Sequence, residues 1–169
     1  MSNVLFLSDL HLDHQNICSF RTQFSTVQEH NEYIKENYYK VVRPKDTVWF
    51  LGDVAFSKES LEDLKTWPGI KHIVLGNHDG SSESKKRGYD IKDMLSVFSS
   101  VHGFTRQYGF WLSHCPIREE ELRGKPNIYG HTHSELIKDD RYLSVCMEHI
   151  NYTPISLEQI RAEFKNRGI

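Results

Sequence analysis

The sequence predicts a layered α/β domain with a mixed β-sheet system, for two reasons. In the first half of the chain, short apolar β-prone runs alternate with stretches of helical periodicity, which is typical of parallel strand–helix–strand units. In the second half, several β-prone runs follow one another closely. Because 169 residues suffice for one domain with a substantial core but are few for two, we expect residues 1–169 to form a single domain.

Three strands and two helices are predicted in the first half. The strands are VLFLS, TVWFL and KHIVL, at residues 4–8, 47–51 and 71–75. Between the first two strands, apolar and aromatic residues over Val27–Val41 follow helical spacing behind the candidate caps Ser25 and Thr26. A shorter helix opens at Ser57 and closes before Pro68.

The second half is predicted to contain mostly strands. After a polar stretch, a short helix covers residues 91–96. The strands that follow are at residues 98–102, 104–108, 110–113, 128–129 and 142–145. The chain closes with an amphipathic helix that has Pro154 just ahead of it and Ser156 as its cap.

Composition and charge exclude several classes of protein. The net charge of −2 argues against a dedicated nucleic-acid binder, which usually carries a basic excess. No apolar stretch approaches the roughly 20 residues that cross a bilayer, so we expect no membrane association. The N-terminus lacks a basic segment before its apolar run, which indicates a first strand and not a secretory signal. Cys18, Cys115 and Cys146 are unpatterned, as free thiols in a reducing compartment would be, so a cytoplasmic location is expected.

Polar clusters stand at the carboxyl ends of five predicted strands. In chain order they are SDLHLDH, GDVAF, GNHDG, SHCPI and GHTH. In open α/β sheets, ligands bind outside the carboxyl ends of the strands, where the loops converge. We therefore expect one site to gather nine side chains: Asp9, His11, Asp53, Asn77, His78, Asp79, His114, His131 and His133.

The chemistry of these residues predicts a metal centre. Carboxylate oxygen and imidazole nitrogen suit divalent manganese, iron or zinc, whereas calcium and magnesium favour an all-oxygen shell. Seven candidate ligands are too many for one ion that must keep an open position, but they suit two ions that share a bridging carboxylate. We therefore predict two divalent metal ions, with manganese favoured and iron, zinc or nickel as alternatives.

Local spacing indicates how the ligands could converge. Residues 7–12 alternate between apolar residues and Asp9 or His11, so an extended segment would point both ligands the same way. His131 and His133 share a face if extended, whereas an open turn would let each reach a different ion. Glycines precede Asp53, Asn77 and His131, as expected where the backbone turns sharply under a metal.

In order and composition, the five blocks resemble those of the calcineurin-like metallophosphoesterase superfamily. The blocks run from residue 9 to residue 133 and so span most of the chain. The resemblance implies a four-layer α-β-β-α sandwich of two mixed β-sheets flanked by helices, with two metals at the sheet edge. The segment HLDHQNI looks like a compact, single-domain bacterial and phage subgroup of this superfamily.

The resemblance also implies roles for the residues. One ion would be held by Asp9, His11 and His133, the other by Asn77, His114 and His131, with Asp53 as the bridge. His78 would approach the leaving group and Asp79 would orient the His78 ring. These roles imply attack by a metal-bound hydroxide without a covalent phosphoenzyme, with His78 as general acid or charge stabiliser.

The chain departs from the superfamily pattern at one place. Where the protein serine/threonine phosphatases carry an Asp-Arg pair, this chain reads GDVAFSKES, so their phosphate-gripping arginine is missing and protein phosphatase activity is disfavoured. Candidates for substrate binding are His14, Asn16, Arg118 and Arg123. The basic segment at residues 84–88 is expected to be a solvated loop.

We expect a metal-dependent phosphoric ester hydrolase that acts on a small phosphodiester or nucleotide, with phosphomonoesters as a further class. A manganese-dependent nuclease is one alternative, so nucleic acid stays open as a partner but is not favoured. A non-catalytic scaffold of the same fold is the other, and the complete ligand set together with His78 argues against it. The sequence leaves the oligomeric state open.

Overall fold

Two mixed β-sheets, flanked by helices, build the protein. The structure is a computed structural model and describes residues 2–169, apart from the side chain of Glu83. The strands are β1 (Val4–Leu7), β2 (Thr47–Phe50), β3 (Ile70–Val74), β4 (Ser100–His102), β5 (Phe104–Gln107), β6 (Phe110–Ser113), β7 (Asn127–Tyr129), β8 (Tyr142–Ser144) and β9 (Ile155–Ser156). The helices are α1 (Ile17–Phe20), α2 (Val27–Val41), α3 (Lys58–Thr66), α4 (Ser82–Lys86), α5 (Ile91–Val97) and α6 (Leu157–Asn166), with a 3₁₀ helix at Glu119–Glu121.

Each sheet combines parallel and antiparallel strands. The first has the order β4-β3-β2-β1-β9, in which β1 to β4 run parallel and β9 is antiparallel to β1. The second has the order β5-β6-β7-β8, in which β6, β7 and β8 run parallel and β5 is antiparallel to β6. The predicted fold class is confirmed.

Alternation along the strands creates two apolar layers. Leu5, Leu7 and Phe50 of the first sheet face the buried side chains of α2, α3 and α5. Their neighbours Phe6 and Trp49 face the second sheet, where the two sheets and α6 share a core. The outer face of the second sheet is covered by the segment that contains the 3₁₀ helix.

Local capping determines where the main helices begin. Thr26 accepts a hydrogen bond from the Glu29 amide at 3.1 Å and starts α2 at the predicted residue. Ser57 caps α3 in the same way, and Ser156 forms a capping box with Gln159 at the start of α6. The predicted strand at residues 98–102 begins only at Ser100, because Phe98 still bonds back to Met94 and ends α5.

The fold brings the carboxyl ends of six strands to one rim. Parallel pairing aligns the ends of β1, β2 and β3 in the first sheet and those of β6, β7 and β8 in the second. A parallel bridge between Ser8 and Cys146 then joins the residues that follow β1 and β8. Among the described residues, no helix combines the length and apolar character needed to span a bilayer.

Candidate metal centre

The backbone at the rim is left-handed at most of the predicted ligands. Five of the seven have a positive φ: Asp9 (61°), His11 (51°), Asp53 (53°), His131 (72°) and His133 (49°). Non-glycine residues rarely adopt this conformation, and it persists where the surrounding structure enforces it, often at functional sites. The expected extended segment around Asp9 and His11 is therefore wrong. Asp9 and His11 are still held beside the loop after β2, because their amides donate hydrogen bonds to the carbonyls of Gly52 and Asp53, both at 3.0 Å.

Glycine is required at the rim because ligand side chains pass directly over the backbone. A Cβ at Gly76 would overlap the Asp53 carboxylate, and one at Gly130 would overlap Ser8 and Asp9. Both positions therefore need glycine for close approach, as expected from the sequence. A larger residue at either position would displace a predicted ligand.

The two carboxylate oxygens of Asp9 have different surroundings. Oδ2 accepts hydrogen bonds from Ser8 Oγ (2.6 Å), the His131 amide (2.8 Å) and Cys146 Sγ (3.3 Å). Oδ1 is buried and has no hydrogen-bond partner among the described residues. A buried charged oxygen without a partner is energetically costly, so Oδ1 is well suited to bind a cation.

A first cluster forms around Asp9 Oδ1. The Nε2 atoms of His11 and His133 each lie 3.7 Å from this oxygen. Ligand atoms of the three residues all lie within 4.8 Å of one another. Both ring nitrogens of His11 are buried and unpartnered within the described part of the chain. One ion could therefore contact all three residues.

Asp53 lies between this cluster and a second one. Its Oδ2 atom is 3.7 Å from His11 Nε2 and 3.4 Å from His114 Nε2. Its other oxygen, Oδ1, accepts a hydrogen bond from the His78 amide at 2.9 Å, which holds the carboxylate in place. This is the position that a bridging ligand would occupy.

The second cluster is centred on His114. Its Nδ1 lies 2.7 Å from the Leu51 carbonyl, which can only accept, so Nδ1 carries the proton. Its Nε2 faces Asn77 Oδ1 at 3.0 Å and His131 Nδ1 at 3.1 Å. A backbone carbonyl that orients an imidazole in this way is the usual arrangement of metal-ligating histidines. The Cys115 thiol also lies within reach of His114 and His131.

The two buried carboxylates make the centre electronegative. Burial alone would lower the pKa of His114, but Asp53 and Asp9 outweigh burial and raise it to about 9. Burial would raise the pKa of Asp9, yet hydrogen bonding and the nearby imidazoles lower it. The raised pKa of His114 shows that the centre favours a positive charge, and the lowered pKa of Asp9 keeps its carboxylate ionised.

Comparison with known proteins decides the family. Residues 2–147 match the family model described as the calcineurin-like phosphoesterase superfamily domain. The chain belongs to the calcineurin-like phosphoesterase superfamily. Membership implies divalent metal ions, and the clusters around Asp9 and His114 supply residues that could hold them.

Proteins similar to this chain include phage and archaeal ones. The gene 66 protein of Mycobacterium phage L5 is 32% identical, in an alignment that covers 81% of this chain and 80% of the relative. The uncharacterized protein MJ1445 of Methanocaldococcus jannaschii is 30% identical over 95% of this chain and 90% of its own length. The crystal structure of AQ665 from Aquifex aeolicus, a protein of unknown function, is similar at a TM-score of 0.73, with 25% identity over 96% of this chain and 99% of that one.

In this superfamily member His78 lies beside the two clusters of candidate metal ligands, but Asp79 does not orient the His78 ring. The His78 ring centre is 6.0 Å from that of His11. The Asp79 carboxylate instead accepts hydrogen bonds from the backbone amides of Asp53 (2.7 Å), Gly76 (2.9 Å) and Val54 (3.2 Å). Among the described residues no hydrogen bond joins Asp79 to the His78 ring, which corrects the expected role. Asp79 connects the loops after β2 and β3.

Burial and the neighbouring Asp53 charge raise the pKa of Asp79 to about 6, although its backbone hydrogen bonds act in the opposite direction. Such an anion-binding arrangement of amides stabilises the charged form. The role of Asp79 is thus to position the loops that carry Asp53 and Asn77.

Two residues that sequence reasoning missed support His133. Glu148 Oε1 lies 3.1 Å from His133 Nδ1 and 2.9 Å from Nε of the buried Arg21. A second Arg21 nitrogen donates to the carbonyl of Asp9 at 2.7 Å. Glu148 follows the carboxyl end of β8, so the rule that identified the other five clusters could have found it. Arg21 follows the short helix α1, and no sequence signal distinguishes it.

The candidates for substrate binding are divided between two regions. His14 lies next to the first cluster, with its ring centre 5.6 Å from that of His11. Asn16 precedes α1 and is exposed. Arg118 and Arg123 are exposed and pair with Glu120 and Glu121 of their own segment. Among the described contacts, none links either arginine to the metal clusters.

Proposed function

We propose that this protein is a metal-dependent phosphoester hydrolase that acts on small phosphodiesters or nucleotides, and on phosphomonoesters as a further class. The observation that carries the proposal is the buried, unpartnered Asp9 Oδ1, which faces the Nε2 atoms of His11 and His133. A structural role alone does not account for a bare carboxylate oxygen between two imidazoles.

The residues fit two divalent ions that share Asp53. One ion would be held by Asp9, His11 and His133, and the other by Asn77, His114 and His131. Nitrogen and oxygen ligands favour manganese, with iron, zinc and nickel as alternatives. Bound divalent ions would lower the pKa of water and offset the charge of the phosphoryl oxygens.

His78 would act on the leaving group. It does not belong to either cluster, and its ring packs against Phe56 with the centres 5.0 Å apart. From this position the imidazole would stabilise or protonate the leaving oxygen, a contribution of typically about 10² to 10⁴ in rate. Because the candidate nucleophile is solvent-derived, no protein side chain needs to carry the phosphoryl group.

A cavity beside the clusters supports a small substrate with a flat group. It has a volume of about 340 Å³ and is lined by His11, His14, Ile17, Phe20, His133, Ser134 and Glu148. This volume lies at the small end of the range for ligand sites, about 300 to 1,000 Å³. Phe20 is 76% exposed, and its ring is nearly parallel to that of His14 at 6.4 Å. A nucleobase or aryl ring could pack against this apolar wall while the phosphate meets the metals.

The proposal is tested with two model esters. The purified protein is given para-nitrophenyl phosphate and bis(para-nitrophenyl) phosphate, first with chelator and then with manganese, nickel, zinc or magnesium. We expect turnover only with metal, and the ratio of the two rates distinguishes a monoesterase from a diesterase. Single-stranded DNA with manganese tests the nuclease alternative.

A matched pair of variants controls the experiment. His133→Ala removes a candidate ligand and should abolish turnover, whereas His102→Ala, on β4 in the first sheet, should leave it unchanged. Metal binding without turnover of any ester, including nucleotide diesters, would overturn the proposal in favour of a scaffold.

A further inference from the structure

Arg87 lies beside His78, although the sequence predicts only a solvated loop at this place. Its Nη2 atom is 3.4 Å from His78 Nδ1. Its Nη1 atom is buried and has no hydrogen-bond partner among the described residues. An arginine that is partly buried next to a candidate leaving-group residue, in a chain without the phosphatases' own arginine, requires an explanation.

The Arg87 side chain is held in place by Phe56. The guanidinium carbon lies 3.9 Å from the centre of the Phe56 ring, a cation–π contact. The same ring packs against His78 at 5.0 Å and against His11 at 4.9 Å. Phe56 therefore connects Arg87 to His78 and to the first cluster.

The backbone around Arg87 is anchored to the loop after β2. The Arg87 amide donates to the Ser84 carbonyl at 3.0 Å. The buried Tyr89, two residues further on, donates its hydroxyl hydrogen to the Ala55 carbonyl at 2.6 Å. Since Ala55 immediately precedes Phe56, this hydrogen bond holds the segment that carries Arg87 next to the segment that carries Phe56.

The chemistry of a guanidinium determines the direction of its contact with His78. Arginine has only donors, so the contact can form only if His78 Nδ1 is the acceptor. The ring proton must then be on Nε2. We infer that Arg87 is a positioning residue that selects this tautomer of His78 and leaves the Nε2 hydrogen free to bond to the leaving oxygen. This inference rests on the proposed function, and it assigns to Arg87 the orienting role that Asp79 does not fulfil.

One consequence follows for the reaction. His78 acts as a hydrogen-bond donor that stabilises charge on the leaving oxygen, which takes its proton from water. A separation of 3.4 Å is long for a hydrogen bond, and such contacts often tighten only when substrate binds.

Nitrogen NMR tests the tautomer without any turnover. The protein is labelled with ¹⁵N-histidine and loaded with diamagnetic Zn²⁺, and His78→Asn identifies the His78 signals. We expect an unprotonated Nδ1 and a protonated Nε2 in the wild type, and a shift towards the other tautomer in Arg87→Met. A protonated Nδ1 in the wild type, or unchanged His78 signals in Arg87→Met, would overturn the inference.

Kinetics test whether Arg87 acts through His78. Arg87→Met should lower kcat by about 10- to 100-fold, with little change in KM. This loss should not exceed the loss of kcat that follows from removal of the His78 imidazole. Arg87→Lys should restore part of the loss. The loss should be larger for a phenyl than for a para-nitrophenyl leaving group, because the poorer leaving group depends more on stabilisation.

A control and a double variant complete the design. Arg106→Met removes another arginine that lies over an aromatic ring, that of Trp111 at 5.6 Å, and should leave kcat unchanged. In a His78→Asn background, Arg87→Met should add little further loss, whereas additive losses would overturn the inference. If the wild type hydrolyses no ester, the proposed function fails, but the NMR result still decides the tautomer.

Discussion

Nδ1 of His133 lies 3.1 Å from Oε1 of Glu148, a carboxylate that is itself bonded to the buried Arg21. Because an ionised carboxylate only accepts hydrogen bonds, His133 Nδ1 carries a proton, and Nε2, which faces Asp9, is the nitrogen that would bind a metal. Arg21 also holds the Asp9 carbonyl. One arginine and one glutamate therefore orient both ends of the first cluster.

Glu148→Gln should weaken metal binding by about 10- to 100-fold, the usual cost of losing an outer partner of a metal-ligating histidine. The amide keeps the shape of the side chain but loses the charge that pairs with Arg21. Titration with manganese against a competing chelator measures the change. Glu163→Gln, which removes the charge of a half-buried pair with Arg167 at the end of α6, is the control. Unchanged affinity in Glu148→Gln would show that the contact does not support a metal.

Asp53→Asn should weaken the binding of both ions, because Asp53 Oδ2 faces both His11 and His114. Asp9→Asn should weaken mainly the binding of the ion near His11 and His133. Metal content per chain, measured after dialysis at a series of manganese concentrations, distinguishes the two patterns. Loss of one ion only in Asp53→Asn would refute the bridging role.

His78→Ala should keep both metals and lose about 10² to 10⁴ in kcat, because His78 lies beside the clusters without being part of them. The metal content serves as the internal control. Unchanged turnover would remove His78 from the mechanism and, with it, the role inferred for Arg87.

Phe20→Ala should raise KM for a nucleotide diester while it leaves the hydrolysis of a methyl ester unchanged, because Phe20 forms the exposed apolar wall of the cavity. A stacked base is typically worth about 1 to 3 kcal/mol, which predicts a KM increase of roughly 5- to 150-fold. Phe104→Ala changes another exposed phenylalanine, on β5, and is the control. Equal KM values for Phe20→Ala and the wild type would exclude this cavity as the base site.

Metal removal should lower the melting temperature. Asp9 and Asp53 repel each other when no cation lies between them, and an ion at about 100 times its Kd stabilises the folded state by about 2.7 kcal/mol. For a chain of this size that corresponds to roughly 5 to 11 °C. Differential scanning calorimetry with chelator and with manganese measures the shift. Identical melting temperatures under the two conditions would contradict a structural demand for cations at this site.

The sequence alone determined the features that depend on neighbouring residues. Apolar periodicity and a threonine cap predict α2 at the residues where it forms, and Ser156 predicts the start of α6. The rule that ligands gather at strand ends predicted that His131 and Asp9 lie close together, although they are 122 residues apart in the sequence. Short elements without a strong local signal, such as α1, α4 and β9, were not predicted.

Only the tertiary structure decided how the side chains at the rim are oriented. Asp79 stands next to His78 in the sequence, yet its carboxylate binds the amides of the loops after β2 and β3. Arg87, from a segment with no regular pattern, lies beside His78, and Arg21 lies beneath Asp9. Local sequence patterns reflect backbone preferences, whereas these contacts depend on which segments the two sheets bring close together and which buried polar groups still need a partner.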